Sequence, residues 1–171
     1  MILVTSRLTL REAASRDVAA LSTYQRDRRY LAARASVGER AHYAEPLDAA
    51  GIVEQARRWA TESPRLNYQF IVTLAAGGSV IGCAGLRQAG YPPGEAEVGI
   101  ELHPDHWGSG YAREALSRLV DFARDDLTLT QVSAFTTPTN RRAHNLLQRM
   151  GFSPASSLHH EIRFQLELAV T

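Results

Sequence analysis

Residues 106–112 read His-Trp-Gly-Ser-Gly-Tyr-Ala, and the stretches on either side of them constrain the fold more than any other part of the chain. Before them runs Glu97-Val-Gly-Ile-Glu-Leu-His103, which reads as a strand. After them, Ala112, Ala115, Leu116, Leu119, Val120 and Ala123 recur at three-and-four spacing, which predicts an amphipathic helix from Tyr111 to about Asp125. A strand that breaks at a glycine-rich loop and opens a helix leaves main-chain N–H groups without intrahelical partners at the positive end of the helix dipole. Such a place holds anions, and its size suits a pyrophosphate. Gly108 and Gly110 stand where the chain turns and where a ligand would come close to the backbone. Taken alone, Gly-x-Gly also suits a plain tight turn. Two nucleotide patterns do not fit: there is no Gly-Lys-Ser/Thr ending, and Arg113 stands where the dinucleotide fingerprint has its third glycine or alanine.

The rest of the composition narrows the class. A chain of 171 residues, 44% hydrophobic and 22% charged, is expected to form a single globular domain, residues 1–171. A formal net charge of +1 provides no electrostatic drive toward nucleic acid or a membrane surface, so neither is expected as a partner. No apolar run reaches the length of a membrane span, and the first residues lack a signal-peptide pattern. Cys83 is the only cysteine, so no intramolecular disulfide can form, and a cytoplasmic location is the simplest expectation. In the apolar run Val80-Ile-Gly-Cys-Ala-Gly its thiol reads as buried and inert. His103 and His106 have the spacing of metal ligands, but no third ligand is near them in sequence, and no metal is expected.

Alternating and helical patterns outline the remaining elements. Strands are expected at Leu8–Glu12, Tyr68–Ala75, Val80–Gln88, 95–103, Gln131–Thr136 and around Ile162–Leu168. Helices are expected from Asp17 to about Tyr24, over 52–60, and from Asn140 to Met150, where Gly151 stops the last one. Gly77-Gly-Ser79 predicts a hairpin turn. His159-His160 reads as the start of a strand. Residues 26–50 show no clear period. Strands outnumber helices and are partly hairpin-connected, so a mixed sheet with helices on both faces is expected.

The order hairpin, strand, Gly-x-Gly loop, helix, strand, helix resembles the GNAT superfamily of acyl-CoA-dependent N-acyltransferases. Three blocks carry the resemblance. Trp107-Gly-Ser-Gly-Tyr-Ala112 is similar to the phosphate-loop pattern Gln/Arg-x-x-Gly-x-Gly/Ala, with Trp107 departing at its first position. Asn140-Arg-Arg-Ala143, with Leu146-Leu147 and then Gly151-Phe152, resembles the family's Asn-x-x-Ser/Ala-x-x-Leu…Gly-Phe segment. Thr5-Ser-Arg-Leu-Thr-Leu-Arg11 resembles the first strand of the ribosomal-protein N-terminal acetyltransferase branch.

The resemblance implies an α/β (α+β) fold with a mixed, mostly antiparallel sheet of six to seven strands, helices on both faces, and a splay at the acyl-CoA site. It implies acetyl-CoA as acyl donor, with its pyrophosphate on the amides of Gly108, Ser109, Gly110, Tyr111, Ala112 and Arg113. Arg113 and Arg149 are candidates for further phosphate or nucleotide contacts, each also readable as a solvated helix residue. The main chain of Leu102 and His103 would pair with the pantetheine arm, and Asn140 would hold an arm amide or cap its helix. The acceptor implied is a primary amine, on a small molecule or a peptide N-terminus, attacking directly in a ternary complex. Glu97 is the candidate base, in the Ala-Glu-Val position where several family members use a glutamate, and Glu101, on the same side of the strand, is the reserve. An ordinary glutamate is a weak base for an ammonium ion, and burial strengthens it. Where relatives carry a tyrosine or serine as acid, this chain has Leu147 and Ala143, which cannot donate a proton. A non-catalytic acyl-CoA-binding sensor is therefore the alternative. Many relatives dimerise, so a homodimer is compatible with the resemblance. The segment 26–66 corresponds to the acceptor side, and its Arg26, Arg28, Arg29, Arg34 and Arg40 would disfavour a polycationic acceptor if they line the pocket.

Overall fold

The structure is a computed structural model that describes residues 1–35, 47–158 and 161–169. One eight-stranded sheet runs in the order β1-β2-β3-β4-β5-β6-β8-β7. Its strands are β1 (Ile2–Val4), β2 (Leu8–Glu12), β3 (Asn67–Leu74), β4 (Val80–Arg87), β5 (Glu95–Leu102), β6 (Gln131–Thr136), β7 (Ser153–Leu158) and β8 (Glu161–Glu167). All neighbours are antiparallel except β5 and β6, which are parallel. The count exceeds the expected six to seven. β1 is only three residues long, and β7, Ser-Pro-Ala-Ser-Ser-Leu, is an edge strand without an apolar alternation. A strand paired on one side and solvated on both faces leaves no period-two pattern to read.

Among the described residues five α-helices cover the sheet: α1 (Asp17–Gln25), α2 (Arg28–Ala35), α3 (Ala49–Ala60), α4 (Tyr111–Asp121) and α5 (Arg141–Arg149). α4 continues as a π-helical turn over Phe122–Asp126. α2 was hidden in the stretch without periodicity, because Arg-Arg-Tyr-Leu-Ala-Ala-Arg-Ala has no apolar stripe. The expectation for His159-His160 lies outside the described residues. No helix among the described residues is long and apolar enough to cross a membrane.

Cross-strand register assigns each side chain to a face. Tyr68, Phe70, Leu86, Val98 and Leu102 pack with Ala115, Leu116 and Leu119 of α4 and with Phe122, forming the larger core. Leu147 of α5 joins that core, and its neighbour His144 meets the ring of Phe164. α4 and α5 therefore share one face. The other face carries Ile71 and Cys83 against Leu21, Tyr24, Tyr30, Ala49 and Val53 of α1, α2 and α3. Because residues on β5 alternate, Glu97, Gly99 and Glu101 point to this second face.

Arg11, read as part of a strand motif, has a structural task. Its guanidinium grips the buried Asp17 carboxylate at 2.7 and 2.8 Å, and Asp17 also accepts from the Ala14 amide. Asp17 in turn opens α1, so the pair sets the angle at which the first helix leaves the sheet.

Candidate functional site

The site is built where the sheet splits. β5 and β6 pair only at Glu95–Gln131, Ala96–Val132 and Glu97–Ser133, and the ladder ends there. β5 continues to Leu102 on the β4 side alone. His103 donates its N–H to the Ile81 oxygen at 2.7 Å. In an antiparallel ladder alternate residues turn their main-chain groups to the same neighbour. Glu97, Gly99 and Glu101 thus face β4, while Val98, Ile100 and Leu102 turn theirs toward the opening beside β6.

This placement corrects the expectation for His103. Both of its main-chain groups are taken, the N–H by Ile81 and the carbonyl by the His106 amide, and its Nδ1 accepts from the Asp105 amide. It is the cap of a short 3-10 turn, Pro104–His106, and it turns no main-chain group to the opening. Leu102 does face the opening, and Ile100, which the sequence did not single out, faces it too.

The loop after β5 has the geometry of an anion cradle. Gly108 and Gly110 both have φ of +81°, a backbone region that side chains with a Cβ occupy at a cost of about 1–2 kcal/mol. Gly110 is the residue that caps α4. The N–H groups of Gly108, Ser109, Gly110, Tyr111, Ala112 and Arg113 donate to no protein acceptor among the described residues, and the Glu114 amide makes the first bond, to the Gly110 oxygen. Nothing stands within 4 Å of where a Cβ on Gly108 would lie. Arg113 is exposed on the first turn of α4. Arg149 is exposed on the last turn of α5.

Asn140 caps α5, with Oδ1 accepting from the Ala143 amide at 3.2 Å. On the same side of the opening, Thr136 is buried and its hydroxyl has no hydrogen-bond partner among the described residues. An unmatched buried hydroxyl costs stability, so its place beside an open strand edge fits a ligand that completes it. The walls of the opening are linked by Trp107. Its indole N–H donates to the Leu102 oxygen at 2.9 Å, and the Arg142 guanidinium of α5 lies over its ring at 4.4 Å. This is the residue that departs from the family's loop pattern.

Sequence reasoning missed the clamp behind the loop. Glu114 accepts from the Thr5 hydroxyl, the Ser6 hydroxyl, the Arg7 amide and Arg7 Nε, at 2.6 to 3.1 Å. Arg7 also donates to the Ser109 oxygen at 3.0 Å and lies over the Tyr111 ring. The signal was the Thr-Ser-Arg run ahead of the apolar strand β2. Burial alone would raise the Glu114 pKa, but the bonds from Thr5, Arg7 and Ser6 outweigh it and hold the carboxyl near 2. A depressed carboxylate contributes stability that is present above the ordinary glutamate range and is lost as pH falls toward 2. Glu114→Gln is therefore expected to flatten the acid limb of stability below about pH 4.5 and to cost about 1–2 kcal/mol at neutral pH, solvent screening included. Thermal melts across pH 2–7 check this; parallel acid limbs in the two proteins would refute it.

On the opposite face Glu97 is buried, 5% exposed. It sits on the last paired rung before the split, accepts from the Tyr91 hydroxyl at 2.9 Å, and lies 3.7 Å from Arg87. Glu101 accepts from the hydroxyls of Tyr24 (2.7 Å) and Tyr30 (2.9 Å) and from the Cys83 thiol (3.5 Å). Burial pushes the Tyr24 hydroxyl and the Cys83 thiol up, so both stay protonated and serve as donors. Of the five arginines singled out on the acceptor side, Arg29 pairs with Asp27 and Asp105, and Arg26 and Arg28 are exposed. The side chain of Arg34 and the whole of Arg40 lie outside the described residues. Among the described residues no group of three or more metal-binding side chains occurs.

An uncharacterized N-acetyltransferase of Bacillus licheniformis, p20, is 32% identical over 84 residues, 49% of this chain and 47% of that protein. The chain thus matches about half the length of that relative. In three dimensions the chain is similar to a spermidine N-acetyltransferase from Vibrio cholerae in complex with CoA and spermine (TM-score 0.76, 21% identity, 97% of this chain and 98% of that one). It is equally similar to a ribosomal-protein-S5-alanine acetyltransferase from Vibrio fischeri (TM-score 0.76, 17% identity, 98% and 96%). At those identities the likeness speaks for the fold alone. A family model described as an acetyltransferase (GNAT) domain matches residues 7–153. The chain therefore belongs to the GNAT acetyltransferase family.

Proposed function

We propose that the protein, acting as one domain in the cytoplasm, transfers an acetyl group from acetyl-CoA to a primary amine by direct attack in a ternary complex. The observation that supports this most is the row of main-chain amides from Gly108 to Arg113 without protein acceptors, at the start of α4 and beside a sheet that opens next to a buried glutamate. Acetyl-CoA, when bound, supplies the thioester carbonyl that the amine attacks. The chain's residues do the rest. The loop amides bind the diphosphate, where a helix start and its aligned peptide dipoles need no cationic side chain. The main chain of Val98 and Ile100 and the N–H of Leu102, whose carbonyl already accepts from the Trp107 indole, pair with the amide-bearing arm, and the Thr136 hydroxyl and the Asn140 side-chain amide are polar groups beside the opening.

Glu97 takes the proton from the acceptor's ammonium. Its side chain stands on the α1–α3 face while the donor lies on the α4–α5 face, and Glu97 is on the rung where β5 leaves β6. Tyr91 fixes Oε2, and Arg87 stands beside Oε1. At the positions of the family's tyrosine and serine stand Leu147, buried in the core, and Ala143, in the first turn of α5, and neither donates a proton. A thiolate with a pKa near 8.5 leaves and takes its proton from water.

The test is a screen of acetyl-CoA with primary amines and peptides of varied N-terminus, read as free thiol. Thiol release with an amine and its absence with the matching alcohol are expected. Binding of acetyl-CoA with no thiol release across the panel would favour the sensor reading instead.

A further inference from the structure

Gly99 lies between Glu97 and Glu101 on the α1–α3 face, and none of the described residues stands within 4 Å of where its Cβ would be. Its cross-strand partner is Gly85, so two neighbouring strands lack side chains at the same point. Over Gly85 lies Gln69, whose Oε1 is 2.9 Å from where a Cβ there would stand. Gln69 is 94% buried by the complement of its 6% exposure. Its Nε2 donates to the Ala84 oxygen at 3.2 Å, while Oε1 accepts from no protein donor among the described residues. The recess therefore has acceptors around it: the Gln69 side-chain oxygen and a carboxylate at each end. Glu97 and Glu101 are four residues apart, about 13 Å between Cα atoms.

The charges around this recess do not balance. Glu97 has Arg87 at 3.7 Å, and Glu95 next to it has Arg163 at 3.4 Å. Glu101 has neutral donors only, Tyr24, Tyr30 and Cys83, and forms no ion pair among the described residues. Three neutral donors hold a carboxylate in place without cancelling its charge. A half-buried charge of this kind gains most from a cation that enters beside it.

Building on the transferase reading, we propose that the Gly85–Gly99 recess is the acceptor's ammonium site and that it selects a monocationic primary amine over a di- or polyamine. One ammonium, with three N–H donors, matches the Glu101 carboxylate and the Gln69 oxygen, with Glu97 farther along the strand. A second positive charge on a short chain would have to lie toward Arg87, where it is repelled.

The probes are n-butylammonium, 1-butanol and the dication of 1,4-diaminobutane, titrated into the full chain saturated with CoA while the Gly85 and Gly99 amide resonances are followed. Butylammonium is expected to move both resonances saturably, the diamine to bind at least tenfold more weakly, and butanol to move neither. A Cβ at Gly99 meets none of the described residues, so Gly99→Val and Gly99→Ala are each expected to fold cooperatively, keep CoA affinity, and weaken butylammonium binding at least tenfold. Glu101→Gln is expected to weaken butylammonium binding as much. Equal or tighter binding of the diamine, or unchanged butylammonium binding in both Gly99 variants, would overturn the proposal. The two readings fail separately. Amine turnover with unchanged KM in Gly99→Val sinks the recess and spares the transferase. Saturable butylammonium binding without turnover of any amine does the reverse.

Discussion

Gly110→Glu is expected to lower acetyl-CoA affinity by roughly 100-fold or more, since a carboxylate at a helix start meets a diphosphate that needs the same amides. The backbone cost is separable from the electrostatic one. Gly110 has φ of +81°, so any residue with a Cβ loses about 1–2 kcal/mol of folding stability there. Gly110→Ala carries that strain without the charge, and is expected to melt like Gly110→Glu while losing only a fewfold in affinity. Arg7 Nη2, 3.4 Å from where the new Cβ would stand, would pair with the introduced carboxylate and hold it over the cradle. Calorimetric titration of both variants checks this. Equal affinities in Gly110→Ala and Gly110→Glu would mean that the loop is a turn and not an anion site.

Glu97→Gln is expected to reduce kcat by roughly 10²–10⁴-fold with acetyl-CoA affinity unchanged, the range for loss of a positioned general base. The amide keeps the shape of the side chain and its bond from Tyr91 but cannot take a proton. It also leaves Arg87 without its carboxylate partner, so a modest stability loss accompanies the kinetic one. The diagnostic readout is the pH profile of kcat/KM with a saturating acceptor. The wild type should rise through an ascending limb that the variant lacks. An unaltered profile would move the base to Glu101, whose carboxylate faces the same side of β5 but is already held by two tyrosines and a thiol.

The strand, loop and helix around residues 95–125 were readable from sequence because each obeys a local rule. β5 is bounded by turns, the loop needs glycines at two positive φ values, and α4 carries a continuous apolar stripe. α2 and β7 were not readable, since neither buries a periodic face. The loop amides were legible as a class of site, whereas the main-chain direction of each residue on β5 was not. That direction depends on a single register, His103 to Ile81, and it removed His103 from the opening and put Ile100 there. The partners of Glu97 and Glu101 come from Tyr24, Tyr30, Cys83, Arg87 and Tyr91, contributed by two helices, a neighbouring strand and a turn. Nothing in linear spacing announces such a gathering. Arg7 illustrates the same limit: it was visible as a motif residue, but its grip on Glu114 and Ser109 spans more than a hundred residues of chain.

The most direct measurement is a comparison of CoA with pantetheine, which lacks the diphosphate and nucleotide, in a titration that follows the amide resonances of residues 108–113. CoA is predicted to shift those resonances strongly and to bind at least roughly 100-fold more tightly than pantetheine, because the main-chain donors at the start of α4 find their anion only in CoA. Equal affinities for the two, with the 108–113 amides unmoved by CoA, would contradict the account.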